Sequence, residues 1–217
     1  MCHYSPTAAK NNSMLPRMLD VEGFILVGGK SSRMGRDKSR LMFEDQTAIA
    51  RIADEMRSAT NSVRVVGADA DAAGIIADIH AEWGPLGGIH AALTASKQDW
   101  CLIVACDLPF VTCELFERLI QLSDESAEAI VPLQDDSRPQ PLCALYRRQP
   151  SLLAAERAIA NGEHSPRALL DKVTTRYISF EQLSDLEGAE HFFFNVNTPE
   201  SYERAKQIAR LLQKRSS

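Results

Sequence analysis

Gly28-Gly29-Lys30-Ser31-Ser32-Arg33-Met34-Gly35-Arg36-Asp37-Lys38 follows directly on the apolar run Phe24-Ile25-Leu26-Val27. A buried strand that ends in glycines, hydroxyls and basic side chains reads as a phosphate-binding turn. Glycines let the backbone turn sharply and bring its N–H groups close to an anion, while Arg33 and Lys38 carry the charge that a polyphosphate must have neutralised. The ligand class this points to is a nucleotide. The nearest decoy is the Walker A loop, because Gly29-Lys30-Ser31 reproduces its last three residues. That pattern requires a glycine where Phe24 stands, and the residues between Phe24 and Gly28 belong to the strand. The Walker A reading is therefore rejected, and the plain alternative is a basic turn that binds nothing.

The 217 residues, 45% hydrophobic and 24% charged, suffice for one globular domain with a sizeable core. Residues 1–20 read as a flexible polar tail without the apolar centre of a secretion signal, and residues 21–217 as the domain. A net charge of -5 argues against a nucleic-acid-binding face but leaves room for a local basic pocket. Cys2, Cys101, Cys106, Cys113 and Cys143 are odd in number, lack zinc-ribbon spacing and mostly sit in or beside apolar segments. They predict reduced thiols and a cytoplasmic setting. The longest apolar run, Cys101 to Cys106, has the length of a strand and not of a membrane span. The histidines His3, His80, His90, His164 and His191 form no ligand-spaced cluster.

Strand-like runs alternate with helical patterns along the chain. Phe24–Val27, Val63–Val66, Leu102–Ala105 and Ala129–Leu133 read as strands, and Thr47–Ser58, Leu86–Ala95 and Thr112–Leu122 as helices, the last with Thr112 as N-cap. Short continuous apolar strands separated by helices predict an α/β fold: one Rossmann-like, mainly parallel sheet with helices on both faces. Such sheets bind ligands beyond the carboxyl ends of their strands. Gly28 lies at one such end. Asp107, directly after the run ending at Cys106, lies at another. An acidic residue there suits magnesium, which is usually held by one or two carboxylates together with substrate phosphates; the alternative is a cap for the following helix. Gly84-Pro85-Leu86-Gly87-Gly88-Ile89 opens a helix with two glycines, so either a ligand base or a neighbouring strand packs close to its backbone.

Four segments together resemble one family. Leu26-Val27-Gly28-Gly29 with Ser31, Arg33-Met34-Gly35 and Asp37-Lys38, then Gly84 to Ile89, then Cys106-Asp107-Leu108-Pro109-Phe110, and finally Asn195-Val196-Asn197-Thr198-Pro199-Glu200, are similar in order and spacing to the molybdenum cofactor guanylyltransferases. The likeness runs from about Glu22 to about Leu212. It implies a nucleotidyltransferase domain with a nucleotide-diphosphate-sugar-transferase-like fold, and transfer of GMP from GTP to the molybdopterin cofactor with release of pyrophosphate. It also implies Mg2+ as cofactor, transient contact with cofactor-insertion proteins or molybdoenzymes, and neither nucleic acid nor membrane as partner. A cytidylyltransferase for the same cofactor, a related nucleotidyltransferase, or a non-catalytic carrier of the cofactor are the rival readings.

Carried over residue by residue, the resemblance assigns Leu26, Val27, Gly28 and Gly29 to backbone contacts with the nucleotide and Arg33 and Lys38 to its phosphates. Asp107 is assigned to the metal. Asp78 matches a family aspartate that contacts GTP, or is a turn former at a strand end. After the second strand, Gly67-Ala68-Asp69 replaces a segment in which the family commonly has an asparagine near the guanine, so either Asp69 or backbone groups near Gly67 would read the base. Val27 replaces a common alanine. Arg138, beside Pro139, falls in the segment leading to the acceptor side. Asn195 and Asn197 flank Val196 at strand spacing, so both amides face one way and could bond pterin amide and amine groups, or belong to a turn before a helix that Thr198 caps and Pro199 starts. Arg167 is a further candidate for the pterin phosphate.

Overall fold

The computed structural model describes residues 19–28, 41–43, 45–67, 75–78 and 83–215. The expectations placed on Gly29, Arg33, Lys38 and Asp69, and on residues 1–18, fall outside them.

In chain order the elements are β1 (Val21–Val27), a short hairpin of β2 (Met42–Phe43) and β3 (Gln46–Thr47), α1 (Ala48–Ala59), β4 (Ser62–Gly67), β5 (Ile75–Ala77) and α2 (Pro85–Ala95). There follow β6 (Trp100–Ala105), α3 (Cys113–Gln121), β7 (Ala129–Pro132), β8 (Cys143–Arg147), α4 (Arg148–Ala160), α5 (Pro166–Leu170), β9 (Thr175–Ile178) and α6 (Pro199–Arg215). Among the described residues, seven strands form one sheet in the order β5-β4-β1-β6-β8-β7-β9. Its pairings are parallel except where β8 runs antiparallel to β6 and β7. The α/β expectation is met, and β8 is the one reversal that makes the sheet mixed.

Alternation along the strands sends side chains to two cores. Ile25, Leu102 and Val104 meet Ile52 and Met56 of α1 and Phe116 of α3. Phe24, Leu26, Ile103 and Tyr146 meet Ile89 and Leu93 of α2 and the alanines of α4. Hydroxyls cap the starts of α1, α3 and α6: Thr47 accepts from the Ala50 N–H at 3.1 Å, Thr112 from Leu115 at 3.4 Å and Thr198 from Ser201 at 3.1 Å. A third, smaller cluster joins Leu41, Phe43, Phe110 and Val196 to Ala205 and Ala209 of α6. Cys101, Cys106 and Cys143 are buried, and with Cys113 they are free thiols. No helix of the described residues is long and apolar enough to cross a membrane.

Candidate active site

The chain leaves β1, builds β4 and β5 on one side of it, then crosses back to place β6 on the other. The carboxyl ends of β1 and β6 therefore form the topological switch point, the place where such sheets bind ligands in a crevice. Gly28 is exposed at the tip of β1, and Cys106 and Asp107 follow β6. The two tips are stitched together, since the Cys106 N–H donates to the Leu26 carbonyl at 3.0 Å.

Asp107 is half-buried, and its carbonyl accepts the Val196 N–H at 2.9 Å. That bond brings the C-terminal Asn195-Val196-Asn197 segment to the crevice. Val196 is buried in the third cluster while Asn195 and Asn197 are exposed on either side of it. The segment lies outside the strands, yet it keeps the exposed–buried–exposed alternation on which the shared facing of the two asparagines was argued. The Asn197 N–H donates to the Ser201 hydroxyl at 3.0 Å, which ties the segment to the first turn of α6.

On the other side of Gly28 lie Gly67 and Asp78. A Cβ on Gly67 would stand 2.8 Å from the Val27 carbonyl oxygen, so glycine here allows β4 to close against the tip of β1. The Gly67 carbonyl accepts the Asp78 N–H at 3.0 Å. Asp78 and Asp107 follow strands three sheet positions apart, on the order of 14 Å at the usual strand spacing. At that separation they cannot share one ion.

Gly84 adopts φ +58, a conformation that disfavours a side chain, at the entrance to α2. A Cβ on Gly88 would lie 3.3 Å from Leu26 Cδ1, so the close neighbour at that glycine is strand β1 and not a ligand base. Leu26 itself is buried, its side chain under Gly88 and its carbonyl bonded to Cys106.

Arg138 stands apart from this group. It is exposed in the hairpin between β7 and β8, where its guanidinium pairs with Asp136 and holds that carboxyl below the usual carboxylate range. The adjoining Pro139 lines an open depression of about 330 Å³ with Arg167, Leu170, Asp171 and Tyr177. The structure thus gathers Val27, Gly28, Asp107, Asn195 and Asn197 at the crevice, Gly67 and Asp78 to one side, and the Arg138 and Arg167 segments to the other.

Two features escaped sequence reasoning. Arg51 donates from Nε to the Pro109 carbonyl at 2.9 Å and lies over the Phe110 ring at 5.9 Å, supporting the turn after Asp107. Trp83 stacks on His164 with centroids 4.2 Å apart, linking the entrance of α2 to the loop before α5. Neither contact has a local sequence signal.

Residues 23–177 match the model of the MobA-like NTP transferase domain. The chain belongs to this family. It is 34% identical over 197 residues to a protein of Pelotomaculum thermopropionicum named "Probable molybdenum cofactor guanylyltransferase", covering 88% of this chain and 95% of that one. It is 31% identical to the molybdenum cofactor guanylyltransferase of Desulfosudis oleivorans, covering 86% and 94% of the two chains. Among solved structures it is similar to the molybdopterin-guanine dinucleotide biosynthesis protein A of Archaeoglobus fulgidus, with TM-score 0.76, 28% identity and coverage of 88% and 99%. As a MobA-like NTP transferase the chain is a nucleotidyltransferase, and its glycine-rich stretch, α2 entrance and Asp107 turn all lie within the matched residues.

Proposed function

We propose that this MobA-like NTP transferase moves GMP from GTP to the terminal phosphate of the molybdopterin cofactor in the cytoplasm, forming molybdopterin guanine dinucleotide for cofactor-insertion proteins or molybdoenzymes. The observation that carries this reading is that Asp107 and Gly28 end adjacent strands at the switch point, with Asn195 and Asn197 pinned beside Asp107 through Val196. The relatives' names support the same chemistry.

A phosphate oxygen of the pterin attacks the α-phosphorus of GTP, the bond from that phosphorus to the bridging oxygen breaks, and pyrophosphate leaves. No covalent enzyme intermediate is required. The protein's work is to align two anions and to neutralise the charge that builds on the leaving group. Val27 and Gly28 offer backbone to the nucleotide, Arg33 and Lys38 offer cations to its phosphates, and Asp78 and the Gly67 region lie on the base and ribose side. Asn195 and Asn197 offer amides to the pterin, with Arg138 and Arg167 farther along the same rim. Asp107 suits Mg2+ because it is one half-buried carboxylate beside a phosphate site, the donor set that ion favours when substrate oxygens complete its shell. When bound, the ion supplies positive charge to the triphosphate oxygens.

Gly67, where the family commonly has an asparagine, keeps CTP in the test. Pyrophosphate release is to be measured with molybdopterin and Mg2+ in the presence of GTP, CTP or ATP. Selective release with GTP is expected. Selective release with CTP would make the chain a cytidylyltransferase, and binding without release would make it a carrier.

A further inference from the structure

The turn from Asp107 to Phe110 is held from three sides. The Asp107 carbonyl accepts the Val196 N–H, and the Pro109 carbonyl accepts Arg51 Nε. The Phe110 ring, 2% exposed, meets Phe43 edge-on with centroids 6.0 Å apart. Phe43, 3% exposed, meets Tyr202 edge-on at 5.6 Å. The Tyr202 hydroxyl then donates to the Met42 carbonyl at 2.6 Å, fastening the hairpin that carries Phe43 to α6.

This aromatic row belongs to the third cluster, separate from the two cores that cover the sheet. Its members come from the hairpin, the start of α1 and α6, except for Phe110 and Val196, which flank Asp107 in space. Besides its link to α1 through Ala48, this cluster meets the sheet rim at the two flanks of Asp107, so its packing bears on where that residue sits.

We propose that Phe43 is a positioning residue for the Asp107 carboxylate, and that α6, through Tyr202, is the outer support of the same brace. This rests on the reading of Asp107 as the residue that holds the divalent ion. Edge-to-face rings set both distance and tilt, so replacing Phe43 by a flexible aliphatic chain lets Phe110 and its turn shift while the site stays apolar.

The test uses the full chain with GTP and Mn2+, following free Mn2+ by electron paramagnetic resonance, together with steady-state turnover. Phe43→Leu is expected to raise the Mn2+ concentration for half-saturation by roughly three- to tenfold and to lower kcat by about tenfold, with KM for GTP little changed, as misplacement of a reacting group predicts. Tyr202→Phe, which removes only the hydroxyl, moves both in the same direction by about two- to threefold and keeps the test open if Phe43→Leu does not fold. Leu152→Ala, a partly buried residue against the opposite core, lowers the melting temperature and leaves Mn2+ binding as it was. Wild-type Mn2+ binding and kcat in Phe43→Leu or Tyr202→Phe overturns the proposal, as does an equal Mn2+ shift in Leu152→Ala. Asp107→Asn separates the two levels: if it loses Mn2+ affinity while Phe43→Leu keeps it, only the brace falls. If Asp107→Asn keeps it, the assignment of Asp107 falls and takes the brace with it.

Discussion

At the amino ends of β1 and β4 the chain is tied down by a buried carboxylate, whereas at their carboxyl ends it is thinned to glycine, exposed at Gly28 and buried at Gly67. Glu22, 6% exposed, accepts from the Ser96 hydroxyl at 2.8 Å and the Lys97 N–H at 3.2 Å and pairs with Arg64 at 3.4 Å. Arg64 also donates to the Ala95 carbonyl at 2.9 Å, so one ion pair joins two strands to the end of α2. Nearby, Arg147 covers Trp100 at 5.3 Å, and the Arg148 N–H donates to the Asp99 carbonyl at 2.7 Å. The other end carries Gly28, Gly67, Asp78 and Asp107, and its backbone bonds run from Asp78 to Gly67, from Cys106 to Leu26 and from Val196 to Asp107. The same residue chemistry, a carboxylate at a strand end, serves cohesion where local donors converge on it. In the proposed function it serves a ligand where the backbone does the holding.

Substitutions at each end should therefore separate activity from stability. The largest effect is expected from Asp107→Ala, with turnover lowered by roughly 10²-fold or more, as for other losses of a charge-stabilising group, and thermal melting little changed. Glu22→Ala leaves buried donors without an acceptor, and denaturant titration should show a loss of roughly 2–3 kcal/mol while the folded fraction turns over normally. Lys38→Ala should weaken GTP binding by roughly 1.5–3 kcal/mol in calorimetry, the range for hydrogen bonds to charged groups. Gly67→Ala forces a Cβ against the Val27 carbonyl and should cost about 1–3 kcal/mol of stability, with weaker GTP binding because the tip of β1 must move.

The smallest effect concerns acid. The Ser126 hydroxyl, the Arg176 guanidinium and nearby backbone N–H groups hold the Asp124 carboxyl down at about 2, below its ordinary 3.8. A folded value below the unfolded one gives stability that is complete above 3.8 and lost as pH falls toward about 2. Asp124→Asn should flatten the acid limb of an unfolding curve between those values and leave neutral pH behaviour nearly unchanged. An acid limb as steep as wild type would show that Asp124 contributes nothing to acid stability.

The carboxyl-rim half of this contrast was legible in the chain, whereas the Glu22 anchor was not, because its partners Arg64, Ser96 and Lys97 lie far from it in sequence. Continuous apolar runs gave β1, β4, β6 and β7, and hydroxyls before helical patterns gave the starts of α3 and α6, because both signals are local. Gly28 and Asp107 could be placed at one rim because parallel strands share an end. The reversal of β8 was not foreseen: antiparallel pairing is decided by tertiary register, and its residues are as apolar as those of a parallel strand. The bond from Val196 to Asp107, the Arg51 support and the Phe43 row join residues far apart in sequence, so no periodicity could reveal them. Gly88 resolved differently. Its two candidate neighbours were equal in sequence, and the structure places β1 there.

The most direct measurement is hydrogen exchange at single-amide resolution with and without GTP and Mg2+. Added protection is expected at Gly28, Asp107 and Asn195 to Asn197, with exchange at Glu22, Arg64 and Lys97 unchanged. Protection that appears at the amino ends instead, or that spreads evenly over the sheet, would contradict the assignment of the nucleotide to the carboxyl rim.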